Sequence, residues 1–328
     1  MAKLQLRTLP DEPYMHLLSS VSFEPVFVMG LARSGTTILY HMMTRSGCFN
    51  YVNLYHLLFF DQLISDHLQE RSSLSKSRLN DMLRKEGVSD RQFDHVMIDA
   101  DVVEEYGYVL GDRPRHRVLN DSKLPRFLSL ARKIQFISDR TRPLLLKNPF
   151  DFTNFLYIAR VFLNARFVFI HRHPLKTLNS QIRGIRNILS SRSPFLAIMS
   201  DAYRKITESP LLFGLNRLFW ASRFGPGLFI ITTTFIVLVK KYIRRIPLLD
   251  PRRYIEIRYE DLCLRPDETM RCILDFCDVR APDVDYSGAI RPRKIEVETD
   301  VRVLAGAVYG CLEKYYRRFG YGVYPDEF

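Results

Sequence analysis

The sequence predicts an α/β fold, a parallel β-sheet flanked by helices around a P-loop-like turn, with helical insertions. Three stretches carry that expectation. Val26-Phe27-Val28-Met29 is an apolar strand that runs into a loop bounded by Gly30 and Gly35 and then into a helix from Thr36. Leu144-Leu145-Leu146 and Phe167-Val168-Phe169-Ile170 are two more apolar strands, each followed by a helix-forming segment. Such alternation needs crossover connections, which place the strands side by side and parallel. Ligands of open parallel sheets sit at the carboxyl ends of the strands, where the polar motifs of this chain also fall.

The first strand ends in Gly30-Leu31-Ala32-Arg33-Ser34-Gly35-Thr36-Thr37. The glycine spacing is that of a phosphate-binding loop, but Thr36 stands where a nucleoside-triphosphatase carries lysine. Arg33, inside the turn, is the loop's cation. Backbone N–H groups and the positive end of the following helix still make the turn an anion site. The missing lysine argues against a bound β,γ-triphosphate.

Tyr51 to Glu70 is apolar at mixed helical spacing, Ser73 to Glu86 is a polar helix, and an irregular region to Asp121 holds Asp99, Asp101, Glu104 and Glu105. Ser122 is placed to cap a helix through Ile137 whose Leu124, Phe127, Leu128, Ala131 and Ile134 share one face. A helix from Asp151 to Phe162 separates the strands at Leu144 and Phe167. The latter strand ends in His171-Arg172-His173, presenting positive charge where a magnesium site would need aspartate. Pro174 opens the next helix, which carries Ser180 about two turns on. Arginine and a hydroxyl placed in this way form a second phosphate site, so the sequence holds two anion sites and no metal site.

These residues resemble a family. Arg33-Ser34-Gly35-Thr36-Thr37 is similar to the 5′-phosphosulfate loop of sulfotransferases that use 3′-phosphoadenosine 5′-phosphosulfate (PAPS), and Arg172 with Ser180 is similar to their 3′-phosphate site. Leu144-Leu145-Leu146-Lys147-Asn148-Pro149-Phe150 resembles the lysine-bearing strand of protein-tyrosine sulfotransferases and their bacterial relatives. Tyr254-Ile255-Glu256-Ile257-Arg258-Tyr259 resembles the late strand whose tyrosine, here Tyr259, reaches the adenine. The matches occur in family order over roughly residues 25 to 280. The resemblance implies PAPS as cosubstrate, bound by Arg33, Ser34, Gly35, Thr36, Thr37, Arg172, Ser180 and Tyr259. It implies a role for Arg33 and Lys147 at the transferring group.

The resemblance does not supply the base. In protein-tyrosine sulfotransferases a glutamate shortly after the loop arginine takes the acceptor's proton, yet Asn50 to His56 contains no carboxylate. His56 is the nearest group able to act near neutral pH, and Glu104 and Glu105 are its rivals. The acceptor, a sugar, a lipid or another small molecule, is expected in a pocket built from the insertions at 51–121 and 187–250 of a single domain. Two other classes compete: a P-loop kinase, which predicts the absent loop lysine and magnesium carboxylate, and a non-catalytic nucleotide-binding protein on the same fold.

Composition fits a globular enzyme. The chain has 328 residues, 47% of them hydrophobic, and a net charge of +12, which suits a polyanionic cosubstrate. No recognition helix, zinc finger or aromatic-basic stacking motif points to nucleic acid. Five cysteines with no C-x-x-C pair fit a reducing compartment. Met1 to Pro10 lacks the apolar core of a signal peptide. A cytoplasmic enzyme is expected, with one qualification at 224–245. Phe224 to Val239 is free of charge, and Lys240, Lys241, Arg244 and Arg245 follow it. That segment reads as a helix buried under the active site or in a dimer contact, as a peripheral contact with the inner face of a membrane, or as a transmembrane span.

Overall fold

The computed structural model describes residues 10–90, 97–280, 284–290 and 296–325. Its sheet contains β1 (Pro25–Met29), β2 (Asn50–Tyr51), β3 (Leu144–Lys147), β4 (Arg166–His171) and β5 (Tyr254–Arg258). All are parallel, in the order β2-β3-β1-β4-β5. The chain leaves β1 towards β2, returns through β3 and crosses to β4 on the opposite side of β1. The direction of winding therefore reverses at β1, and the crevice this opens lies at its carboxyl end.

Both faces of the sheet are buried, so the strands read as apolar runs. Phe27, Met29, Leu144, Leu146, Phe167 and Phe169 point into one core, which includes the helices Leu124–Ile137, Phe155–Val161 and Ala305–Phe319. Val26, Val28, Leu145, Val168, Ile170 and Ile257 point into the other, beneath the helices Thr36–Arg45 and Pro266–Phe276. This strict alternation fixes which face receives each residue at a strand end.

The sequence expectations hold for the central strands and for the helices after Gly35 and Pro174, the latter running Pro174–Ser191 with proline in its first turn. Several boundaries move. The Leu124–Ile137 helix is not capped by Ser122, because the Asn120 side chain accepts from the Lys123 amide and Ser122 Oγ turns back to Asn120. The helix expected from Asp151 starts only at Phe155, since the Asn148 side chain first holds a 3₁₀ turn over Pro149–Asp151. Asn50–Tyr51 adds an edge strand beside β3, ahead of the short helices that fill 54–68.

Region 187–250 is helical throughout, with helices Pro194–Met199, Asp201–Glu208, Pro210–Ala221 and Pro226–Arg245. The last is long and apolar enough, by length and composition alone, to cross a membrane. Here its Leu228, Phe235, Val239 and Tyr242 are buried in the core shared with β1 and β4. Phe229, Ile230 and Val237, on its other side, are exposed. The buried-helix reading therefore describes one face and leaves the other bare.

Candidate active site

The phosphate loop is shaped by two glycines that nothing larger could replace. A Cβ on Gly30 would lie 2.6 Å from Ser34 Oγ and 2.8 Å from the Ile170 carbonyl oxygen. Gly35 has φ +106°, and a Cβ there would lie 2.4 Å from the Tyr259 ring. Arg33 also takes a positive φ, 72°, which is unusual for a side chain of its size. The loop ends in the first turn of the Thr36–Arg45 helix, whose unpaired leading N–H groups belong to residues that line the crevice, Thr36 and Thr37 among them.

Register brings the other groups to this loop. Val28 of β1 pairs with Lys147 at the end of β3. The pleat sends Lys147 to the side occupied by the Thr36–Arg45 helix, where Nζ donates to Thr37 Oγ1 at 2.9 Å. The same Nζ lies 3.2 Å from Glu105 Oε1, and the lysine is 1% exposed. Glu105 is held there by its neighbour, since the Tyr106 amide donates to the Lys147 carbonyl at 3.2 Å. Behind that join, buried Asp151 accepts from the Tyr106 hydroxyl at 2.7 Å, Asn148 Nδ2 at 2.8 Å and the Leu119 amide at 3.0 Å. Three segments distant in sequence are thus tied behind one lysine–carboxylate pair.

On the other side of β1, His171 of β4 pairs with Arg258 of β5. The next residues, Arg172 and Tyr259, consequently sit side by side, with the guanidinium 4.3 Å from the ring centroid. Burial pushes the Tyr259 hydroxyl up to about 12, against the opposing pull of Arg172. Arg172 Nη1 reaches the Arg33 carbonyl oxygen at 3.4 Å. Arg33 Nε donates to Ser180 Oγ at 3.1 Å, and Gln181 Nε2 donates to the Ala32 carbonyl at 2.8 Å. The two anion motifs are therefore one continuous surface, with Arg33 reaching from the loop to the Ser180 helix.

The expectation that His171-Arg172-His173 presents a cluster of positive charge is corrected. Successive side chains of a strand point to opposite faces, so only Arg172 reaches the crevice. His171 is 1% exposed, between the hydroxyls of Tyr242 and Tyr315 at 3.1 Å each. Burial, reinforced by Arg318, drives its pKa well below the usual histidine range. Glu256 lies 3.6 Å away but is already engaged by Tyr242 and Arg318, so desolvation prevails and His171 is neutral. His173 Nδ1 accepts from the Leu175 amide and so caps the Pro174–Ser191 helix.

His56, read from sequence as a base, is brought to no reacting position. Its Nδ1 accepts from the Asn53 amide at 3.2 Å, while Asn53 Oδ1 accepts from the His56 amide at 2.9 Å. This reciprocal cap uses the ring nitrogen that would take a proton. Burial, with Lys76 adding to it, lowers the pKa of His56 to about 3. Glu104 and Glu105, in contrast, both line the crevice. Glu104 is 2% exposed, and its Oε2 accepts from the Glu105 amide at 3.2 Å.

The crevice opens into a cleft of about 1010 Å³. Arg33, Thr37, Glu105, Arg172, Ser180 and Tyr259 lie along one part of it, and apolar side chains such as Trp220, Ile231, Phe235 and Leu238 along another. Lys176 also lines it and was missed by the sequence reading. Its spacing of four from Ser180, which puts both on one helix face, was the available signal.

Arg172 Nε is buried without a hydrogen-bond partner on a residue that lines the cleft, and with the glycine cradle it fits an anionic ligand at this position. Ser34, expected from sequence to bind the same ligand, instead turns its hydroxyl towards Gly30 and does not line the cleft. Residues 25–217 match the sequence model of the sulfotransferase family. The chain belongs to the sulfotransferase family. Its fold is similar to that of sulfotransferase STF9 from Mycobacterium avium, at TM-score 0.62 and 15% identity over 96% of this chain and 82% of that one. It is also similar to sulfotransferase STF1 from Mycobacterium tuberculosis H37Rv, at TM-score 0.51 and 15% identity over 94% and 80%. At such identity the likeness is one of fold. No curated protein matches the sequence.

Proposed function

We propose that this sulfotransferase takes its sulfuryl group from PAPS and transfers it to a hydroxyl of an acceptor held in the apolar part of the cleft. The observation that carries this reading is the position of Lys147, buried between Thr37 and Glu105, both of which line the cleft. The loop amides with Thr36 and Thr37 hold the 5′-phosphosulfate, Arg172 and Ser180 the 3′-phosphate, and Tyr259 packs beside the adenine. Arg33 links the two anion positions.

Glu105 is the proposed base. It takes the proton of the acceptor hydroxyl as that oxygen bonds to sulfur, while the bond from sulfur to the bridging phosphate oxygen breaks. Lys147 and Thr37 stabilise the charge that develops on the departing oxygen, and 3′,5′-adenosine bisphosphate leaves. Every group required is supplied by the chain or by the two substrates.

The test is donor recognition. Heat stabilisation by 3′,5′-adenosine bisphosphate without magnesium is expected, and Arg172→Ala should weaken that binding by roughly 2–3 kcal/mol, the range for hydrogen bonds to charged groups. Adenosine 5′-phosphosulfate, which lacks the 3′-phosphate, should bind wild type poorly and Arg172→Ala about as poorly. Equal affinity of the wild type for both donors would overturn the assignment, and a preference for magnesium-ATP would favour phosphoryl transfer instead.

A further inference from the structure

The helices Pro210–Ala221 and Pro226–Arg245 pack against each other and carry much of the exposed apolar surface of the chain. Leu211, Leu215 and Leu218 of the first are 72%, 54% and 69% exposed, and Phe229 and Val237 of the second are 53% and 54% exposed. Isolated exposed apolar residues are ordinary, whereas five on two adjoining helices form a patch that calls for a covering surface.

Charge identifies the cover. From Ser209 to Leu249 the chain contains no aspartate or glutamate, but it does contain Arg217, Arg223, Lys240, Lys241, Arg244 and Arg245. Along the second helix the exposed stripe passes from Phe229 and Ile230 through Thr233 and Val237 to Lys240 and Arg244. Apolar side chains with a basic border and no carboxylate are the complement of an anionic lipid surface, with hydrocarbon beneath negative headgroups. The same helix is also a wall of the cleft. Ile230 is 43% exposed and lines it, as do Thr234 and Leu238 further along. The apolar patch and the cleft's apolar wall are thus continuous at Ile230.

We propose that this helical pair docks on an anionic phospholipid bilayer, so that the cleft opens towards the hydrocarbon edge and receives an acceptor whose hydroxyl is attached to a lipid body. Docking stands on the surface alone. The acceptor class rests in addition on the sulfuryl-transfer reading.

Flotation with vesicles of equal phosphatidylglycerol and phosphatidylcholine tests docking. Binding is expected at 50 mM salt and should fall severalfold at about 500 mM. Vesicles of phosphatidylcholine alone should bind far less. Replacing Lys240 and Arg244 by glutamine should lower partitioning on the order of thirtyfold. Leu218→Ser with Phe229→Ser should abolish it, while circular-dichroism melting stays that of wild type because both side chains are exposed. Absence of vesicle binding at low salt would overturn the proposal. So would a dimer in solution that Leu218→Ser/Phe229→Ser converts to monomer, since a second copy would then be the cover.

The acceptor class is tested by incubating the protein with sulfate-labelled PAPS and a total membrane extract. Label in the organic-extractable fraction supports it, and label confined to water-soluble product overturns it. Vesicle binding with no transfer to any fraction would sink the donor reading and the acceptor class together, leaving docking intact.

Discussion

The two halves of the cleft are made by different physics. The half we assign to the donor is a matter of backbone: a turn with positive φ at Arg33 and Gly35, strand ends set by register, and polar groups within hydrogen-bond distance of one another. The half we assign to the acceptor is a matter of packing, with helices from the 187–250 region presenting Trp220, Ile231, Phe235 and Leu238 as a wall. A phosphosulfate has a fixed shape and charge, so few backbones fit it. A hydrocarbon or other apolar body is non-directional in its demands, and many side-chain sets of similar volume would serve. Rigid recognition therefore sits in the sheet, and adjustable recognition in the helices around it.

The comparison is broken most severely at Lys147. Lys147→Ala should reduce kcat by roughly a thousandfold, as for removal of a donor from a developing oxyanion, with 3′,5′-adenosine bisphosphate affinity changed far less. Glu105→Gln should give a loss of comparable character if Glu105 is the base we propose, since its carboxylate lies 3.2 Å from the Lys147 ammonium. Steady-state kinetics beside calorimetric binding of the bisphosphate measures the split. A Lys147→Ala enzyme with near-normal kcat would show that the donor half binds without performing chemistry.

What was legible in the sequence follows the same division. Glycine spacing, Arg33 and the Thr36-Thr37 pair are local turn chemistry, so the shape of the loop could be read directly; Lys147 and Tyr259 were picked out by resemblance, and the register of the sheet brings them and Arg172 to that loop. His171 and His56 misled because sequence adjacency does not say which way a side chain points. The pleat turns His171 into the core, and a capping box occupies His56. The proposal of Glu105 over His56 rests on the Tyr106–Lys147 backbone contact and the Asp151 network, links across 41 and 45 positions that no local pattern encodes. The charge-free run of 224–239 and the basic cluster after it were visible as composition, but which face was bare depended on helices far away in the chain.

The acceptor half should give under a different perturbation. Phe235 is 2% exposed, lines the cleft and belongs to the core beneath the sheet. Phe235→Ala should cost about 3 kcal/mol of stability, near the low end for such truncations, because one side of the ring already borders open space. Binding of 3′,5′-adenosine bisphosphate should survive, because no donor group rests on that ring. Chemical denaturation with a bisphosphate titration measures both. If bisphosphate affinity falls along with stability, the two halves are mechanically coupled and the division fails.

The smallest expected effect separates His56 from the groups we propose to act in catalysis. Its folded-state pKa, lowered to about 3 by burial and by Lys76, lies below the ordinary histidine value of about 6.5 in the unfolded chain. Between those values the unfolded state binds one more proton than the folded state, so stability falls as pH falls. The loss begins near the unfolded pKa and amounts to about 1 kcal/mol between roughly pH 6.5 and 5.5 for this one group. His56→Gln provides the control, since glutamine at the third helical position can accept from the Asn53 amide and preserve the reciprocal cap. Denaturation curves across that range should show the variant lacking this share of the acid sensitivity, with kcat unchanged at neutral pH. Superimposable stability profiles would mean that His56 titrates normally in the folded chain. A large fall in kcat would return it to the list of candidate bases and remove the clearest distinction between Glu105 and its sequence rival.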